Sequence, residues 1–401
     1  MKSKKILFVT TSNLATNPRL VKEVALALSL QMEVTVVAFR FQNWSHALNE
    51  DIKKRWGTAV HCIEISGDRN PFGDWLYSTI GQYLCSFALR CGLATTFMLS
   101  QALQKRTVLL QKTLKKLNGA SFDIAIAHNP GAFYPTAQWA KKNKVALGID
   151  VEDYHPGEYT EATMAAKYVQ LMKATLPQAT YISYAALPIG EQVIRDTNYK
   201  GRSFEIVNAF PSDEFLPSKP PLQNNSNKIQ LVWFSQHIGK GRGLDDLLAH
   251  WKQMDTAHLQ LHLIGAITPD YKAMIDQLPN IDLHEPMTQP KLHQFLLQCD
   301  VGLAIEDNKA NYNRELCITN KIIAYYQAGL ATIATNTIGQ QSFFDRYSPK
   351  GVLIKPEQLM EVILQLKQGE GILSKHNTAP NNLCWEKEQK KLQTVWEQIV
   401  L

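Results

Sequence analysis

The chain has 401 residues, 45% of them hydrophobic and 19% charged, with a formal net charge of +6. This composition excludes a disordered or fibrous chain, and the length exceeds one ordinary core and suits two domains of about 200 residues each. Residues 1–200 hold 23 Lys and Arg against 15 Asp and Glu, and the remainder 19 against 21, so the basic surplus lies in the first half. Such a surplus suits an anionic partner such as the inner leaflet of a membrane. With no zinc-finger spacing, RNA-binding motif or long Lys/Arg run, no nucleic-acid partner is expected. Six scattered cysteines without CxxC spacing read as reduced thiols of a cytoplasmic protein.

The basic start is followed by ILFVTT (6–11). That run is too short for a signal peptide and has no cleavage site after it, so it predicts a buried first strand. A helix over 17–29 and a second buried strand, EVTVVAF (33–39), come next. HCIEIS (61–66), a long helical region from 74 to 117, FDIAIAH (122–128), a helix around 134–142 and VALGIDV (145–151) continue the alternation. TYISYAA (180–186) and FEIVNAF (204–210) add two expected strands. Short β-branched strands alternating with helices predict a parallel sheet covered on both faces.

Residues 211–228 carry four prolines and an Asn/Ser cluster, the composition of a linker. The rhythm then restarts with IQLVWF (229–234), a helix over 244–254, LQLHLIG (259–265) and a helix near 271–277. IDLHE (281–285), a helix over 290–298, DVGLAIE (300–306), a helix over 320–328 and LATIAT (330–335) follow. VLIK (352–355) and a helix over 356–368 complete it, and a final helix at 385–400 is left over. The expected fold is α/β, two Rossmann-like doubly wound domains. Their bounds are 1–210 and 229–380, with a linker at 211–228 and a C-terminal helical segment at 381–401. In such folds ligands sit outside the carboxyl ends of the strands, here in a cleft between facing halves.

The turn FSQHIGKGRGLDD (234–246) follows the second half's first strand. Gly239, Gly241 and Gly243 permit positive φ and close backbone approach to a ligand. Arg242 offers a bidentate cation for a diphosphate, Lys240 a second charge, and the following helix its N-terminus. A plain strand-to-helix turn with solvated cations is the alternative. The spacing is not the dinucleotide fingerprint, which disfavours an NAD enzyme.

In the first half, Asp150, Glu152, Asp153 and His155 crowd a strand end. Alternation puts Asp150 and Glu152 on one side, where they could hold a divalent metal, orient an acceptor hydroxyl or cap a helix. His128 and Asn129 end the strand FDIAIAH, and Asn13, Thr16, Asn17 and Arg19 follow the first strand. His128 reads as structural or functional, and Arg19 as a site cation or the exposed face of its helix. The segment 75–106 is largely apolar but interrupted by Arg90. It predicts a helical pair on the sheet, touching lipid on one side, with Lys105, Arg106, Lys112, Lys115 and Lys116 toward anionic headgroups. A buried helix followed by a solvated one is the alternative.

Taken in order, TTSNLATNPRLVKE (10–23), FDIAIAHNPGA (122–132), GIDVEDYHPGE (148–158), WFSQHIGKGRGLDDLL (233–248) and NRELCITNKIIAYYQAGLATIAT (313–335) resemble the retaining glycosyltransferases of family 4, a GT-B family. The resemblance covers nearly the whole chain. It implies a nucleotide-sugar donor on the second domain, an acceptor on the first, and a last helix that crosses back to the first domain. It places Arg242 and Lys321 on the donor diphosphate and His128 near the sugar, with Thr319 and Asn320 opening the helix that carries Lys321. One departure stands out. The family's two glutamates eight residues apart fall on Leu316 and Ala324. A sugar- or ribose-binding carboxylate is then expected from Glu306 or Glu315. The first cation of the family's glycine-turn element falls on Gln236 or His237.

The expected activity is transfer of a sugar, with retention, to a hydroxyl of a glycan or lipid-linked glycan in cell-surface polysaccharide synthesis. No metal or other cofactor is expected. A nucleotide-sugar 2-epimerase of the same fold, or a non-catalytic partner subunit, is the alternative.

Overall fold

The computed structural model describes residues 3–216, 228–241, 243–306, 311–367, 370–373 and 382–400. The chain divides into two units, one made of Met1–Ile206 with Gln389–Leu401, the other of Val207–Glu388.

The first unit is built on seven strands, β1 (Lys5–Thr10), β2 (Glu33–Arg40), β3 (Val60–Ser66), β4 (Ile124–His128), β5 (Ala146–Val151), β6 (Tyr181–Tyr184) and β7 (Arg202–Glu205). They lie in the order β3-β2-β1-β4-β5-β6-β7, every pair parallel. The central strands IAIAH and ILFVT are buried along their length, as a sheet covered on both faces requires. Register decides what meets at their carboxyl ends. Thr10 pairs with His128, His128 with Asp150, and Asp150 with Ser183. Four polar residues from four adjacent strands therefore stand in one row on one face. The helix Pro18–Ser29 and the final helix Trp385–Val400 supply residues to that face, where Trp396 meets the ring of Phe8 edge-on at 6.1 Å and donates its indole N–H to Tyr181 Oη at 2.9 Å.

The second unit has six strands, β8 (Ile229–Ile238), β9 (Leu259–Ile267), β10 (Ile281–His284), β11 (Val301–Ala304), β12 (Ala331–Thr335) and β13 (Gly351–Ile354). The order is β10-β9-β8-β11-β12-β13, again all parallel. Trp233, Trp251, Leu263 and Leu303 sit in its apolar core, all fully buried. The chain is thus α/β with two Rossmann-like sheets.

The expected organisation shifts in four places. The strand expected over 204–210 stops at Glu205. Beyond it the backbone turns to side chains: Val207 N donates to Glu388, and Phe210 exchanges hydrogen bonds with the amide of Gln327. The strand expected to end at Phe234 runs to Ile238, with an irregularity in its pairing to β9 between Phe234 and His237. The helical region expected over 74–117 is three helices, Phe72–Arg90, Thr96–Leu103 and Thr107–Lys116. The segment expected to be a linker begins as a short 3-10 turn, Ser212–Phe215, whose Phe215 is buried; residues 217–227 lie outside the described residues.

Candidate functional site

In the first unit the row at the strand ends becomes an enclosed ion network. Arg19, on the first turn of the helix Pro18–Ser29, has no exposed surface. Its guanidinium donates to the carbonyl of Ile206 at 2.8 Å and faces Glu23 at 3.3 Å and Asp150 at 3.4 Å. His128 lies between the same two carboxyl groups, Nε2 at 3.3 Å from Glu23 and Nδ1 at 3.4 Å from Asp150. Ser183 Oγ donates to Asp150 at 2.7 Å. Burial works against a charged imidazole, yet Glu23 and Asp150 outweigh it and hold His128 at about 10. Burial likewise opposes ionisation of Asp150, but Arg19, His128 and Ser183 keep its carboxyl well below the usual range.

Several first-half expectations change with this geometry. Arg19 is neither a cation facing a ligand nor an exposed helix position; it is the anchor of a buried cluster. His128 is 1% exposed, so its ring meets carboxylates in this structure. Asp150 points into the same network, and β5 ends at Val151, so strand alternation does not carry Glu152 alongside it. Glu152 and Asp153 are half-buried beyond the strand, and His155 is held by Glu158 at 3.2 Å. Burial opposes the charge on His155, and Glu158 raises its pKa nonetheless.

The loop after β1 is structural in its hydrogen bonding. Asn17 caps the helix Pro18–Ser29 by accepting from Leu20 N, and Asn13 donates to Ser45 and accepts from Thr16 N. Asn129 adopts φ +71°, and its side chain accepts from Thr10 Oγ1 at 2.5 Å. A non-glycine residue in that region is strained, and the bond from Thr10 is what holds it there.

In the second unit the turn after β8 and the ends of β11, β12 and β13 border a cavity of about 430 Å³, lined by Gly243, Asp245, Glu306, Thr335, Ile354 and Pro356 among others. Gly241 and Gly243 have φ +71° and +84°. A Cβ on Gly243 would lie 2.9 Å from the carbonyl oxygen of Ile305, so both conformation and space require glycine there. Gly239 needs neither, and Lys240 is exposed. Gly241 N donates to Asp245 at 2.7 Å, and the following helix, Asp245–Trp251, carries Asp245 and Asp246 in its first turn. Asp245 and Asp246 place negative charge at that helix start, which opposes the phosphate expected there, although neither side chain caps the helix. Arg242 lies outside the described residues.

The helix Asn320–Ala328 carries no acidic residue in its first turn. Thr319 stands at its N-cap, but its hydroxyl makes no capping bond and Oγ1 is buried without a partner. Lys321 Nζ pairs with Glu306 at 2.6 Å, donates to the carbonyl of Ile305 at 3.3 Å and sits 5.0 Å from the Trp233 ring centroid. Glu306, held by its backbone N–H to Thr335 Oγ1, is the carboxylate of this cluster. Glu315 instead accepts from Ile338 N at the start of the helix Ile338–Tyr347. Leu316 and Ala324 are buried at 3% and 0%, so apolar packing occupies both glutamate positions of the family pattern.

Sequence reasoning missed Glu23, Ser183, Thr335, Asp245 and Arg314, whose guanidinium donates to Gly241 O at 3.2 Å. Glu23 had a signal, four residues from Arg19 on one helix. Ser183 and Thr335 had none short of the register.

A separate surface stands out on the first unit. The helix Phe72–Arg90 exposes Leu76, Tyr77, Ile80, Tyr83, Leu84 and Phe87, the last at 66%, in one stripe at three- and four-residue spacing. Of the expected cations nearby, Arg106 is turned inward to the carbonyl of Thr11 and Lys112 pairs with Asp74, while Lys115 and Lys116 are exposed. Among the described residues no helix is long and apolar enough to cross a membrane.

Two parallel α/β units, seven strands and six, with the last helix contributing to the first unit, define a GT-B fold. Solved structures agree. The Anabaena protein HepE, crystallised with UDP, matches with a TM-score of 0.66 and 12% identity over 98% of this chain and 100% of its own. A glycosyltransferase from Rickettsia africae matches with a TM-score of 0.65 and 14% identity over 100% and 99%. A Listeria monocytogenes protein assigned as a UDP-N-acetylglucosamine 2-epimerase matches with a TM-score of 0.56 and 12% identity over 99% and 98%. No family model matches the sequence, and no curated protein matches it significantly.

Proposed function

We propose that the chain is a glycosyltransferase that takes a sugar from a nucleotide-diphosphate-sugar bound on the second unit. The acceptor is a hydroxyl of a glycan or lipid-linked glycan held by the first unit, and transfer proceeds with retention and without a metal cofactor. The observation that carries the reading is the start of the helix Asn320–Ala328. Its first-turn amides are uncapped, Thr319 Oγ1 is buried without a partner, and Lys321 and Glu306 stand beside it at the strand ends. An uncapped helix start with an adjacent cation suits a phosphate, and a leaving diphosphate gains most from such groups as its charge grows. Arg242, between two glycines of the neighbouring turn, adds a second cation on this reading. HepE with UDP supports a uridine nucleotide as the first ligand to try.

Titration calorimetry with UDP tests the site. Lys321→Ala and Arg242→Ala are each expected to weaken binding about ten- to a hundred-fold, the worth of one charge-assisted contact, in proteins whose melting shows them folded. Arg242→Lys should restore part, because the bidentate fork is lost. Unchanged affinity in both alanine variants would remove the donor site. The epimerase reading is kept by the shared fold of the Listeria monocytogenes protein, and the non-catalytic reading by Leu316 and Ala324, where the resembled family has carboxylates. Epimerisation is decided by incubating nucleotide-sugar without acceptor: release of an altered free sugar favours it.

The apolar stripe on Phe72–Arg90 is the surface on which this cytoplasmic enzyme meets the inner leaflet and its lipid-linked acceptor, in the synthesis of cell-surface polysaccharide. Tyr83→Glu with Phe87→Glu is expected to abolish sedimentation with anionic vesicles. Wild-type binding should weaken with salt, since Lys115 and Lys116 are screened within about 10 Å at 0.1 M. Vesicle binding that the double variant leaves unchanged would sink the assignment.

A further inference from the structure

We propose that His262, Asp282 and His284 form a binding site for a divalent transition-metal ion, of which Zn²⁺ is the natural occupant, on the edge of the second unit's sheet. His262 lies on β9 and pairs in register with Asp282 on β10, while His284 stands two residues further along β10 on the same face. One donor atom from each comes within 4.8 Å of the other two. His262 Nδ1 is 3.1 Å from His284 Nε2 and 3.4 Å from Asp282 Oδ2. Tetrahedral zinc with bonds of about 2.0–2.1 Å needs ligand atoms about 3.3–3.4 Å apart. Without metal the first of these contacts serves as a hydrogen bond between the rings, so distance alone does not select chelation.

Orientation does. Gln230 Nε2 donates to the carbonyl of Lys228 at 2.9 Å, which turns its amide oxygen toward His262 Nε2 at 2.8 Å. His262 therefore donates from Nε2, and its Nδ1 presents a lone pair to Asp282 and His284. This is the outer support that ligating histidines require, with the far nitrogen fixed by an acceptor. Phe295 packs edge-on against both rings, at 5.3 and 4.8 Å between centroids, and restricts their rotation. Burial pushes both imidazoles below their ordinary value, which favours the neutral, ligating form. Two imidazoles and a carboxylate suit zinc better than calcium or magnesium. The Asp282 side chain is half exposed, leaving room for water as the fourth ligand. The strands that carry the site, β9 and β10, lie two and three strands from β11 in the sheet order, so its ion clamps the edge strand β10 to β9 and takes no part in transfer.

The test is equilibrium dialysis of the untagged, chelator-stripped full-length protein against Zn²⁺, with bound metal measured by atomic emission. One zinc per chain is expected, together with a rise in melting temperature. Cobalt should give the visible absorption of a tetrahedral site. His284→Gln and Asp282→Asn, the latter at an exposed position that should not disturb folding, are expected to abolish stoichiometric uptake. Gln230→Met keeps all three ligands and should weaken affinity about ten- to a hundred-fold. No uptake by the wild type, or uptake that Asp282→Asn and His284→Gln leave unchanged, would overturn the site.

Discussion

Arg19→Ala is expected to destabilise the protein by about 3–5 kcal/mol, the cost of breaking one partner out of a buried ion cluster. The guanidinium is fully enclosed and serves three acceptors at once, Ile206 O, Glu23 and Asp150. Its removal leaves two carboxyl groups with His128 and the Ser183 hydroxyl, and takes a donor from the Ile206 carbonyl just beyond β7. Arg19→Lys should recover only part, since one ammonium cannot span three acceptors in a fixed fork. Replacing Arg19, Glu23, His128 and Asp150 together by apolar residues of similar volume should cost less than the single alanine change, because no uncompensated charge remains. Urea unfolding of the three variants measures these differences. A midpoint for Arg19→Ala corresponding to less than about 1 kcal/mol of loss would mean that the cluster contributes little beyond packing.

What the sequence revealed follows from how far apart the interacting groups lie. Strands such as ILFVTT and FDIAIAH are local apolar runs, and their alternation with helices suffices to predict two parallel sheets. The network is another matter. Arg19 and Asp150 are 131 residues apart, and only the register of β1, β4, β5 and β6 brings Thr10, His128, Asp150 and Ser183 into one row. Read locally, Asp150 at a strand end looks solvent-facing; the helix that follows β1 covers it. The same limit explains 204–210, where an apolar run reads as a strand until Glu388 and Gln327, distant in the chain, take its backbone groups. Glycine is the exception. Gly243 was legible as a turn residue, and the approach of Ile305 O shows why no side chain fits.

The pH dependence of stability should carry the signature of His128. Its pKa in the folded chain is about 10 against an ordinary 6.5, raised by Glu23 and Asp150 against the effect of burial. A raised pKa means the folded state holds the proton more tightly. The resulting stability is fully present below about 6.5 and is lost as pH rises toward 10. In that window one proton separates the two states, so stability should fall by at most about 1.4 kcal/mol per pH unit. Asp150 acts in the opposite sense: its depressed pKa gives stability present above the ordinary carboxylate range and lost as pH falls. Tyr181, which feels the charges of Glu23 and Asp150, is raised well above its usual value by burial first and then by the charge of Glu23, so it does not ionise within the window. His128→Gln removes the proton from the cycle. The variant should be less stable than wild type at pH 6.5, and the two curves should converge by pH 10. Denaturant midpoints taken at half-unit steps from pH 6 to 10 decide the matter. Curves that stay parallel across the range would show that His128 is neutral in the folded protein, and the network would then hold one cation, Arg19, between its two carboxyl groups.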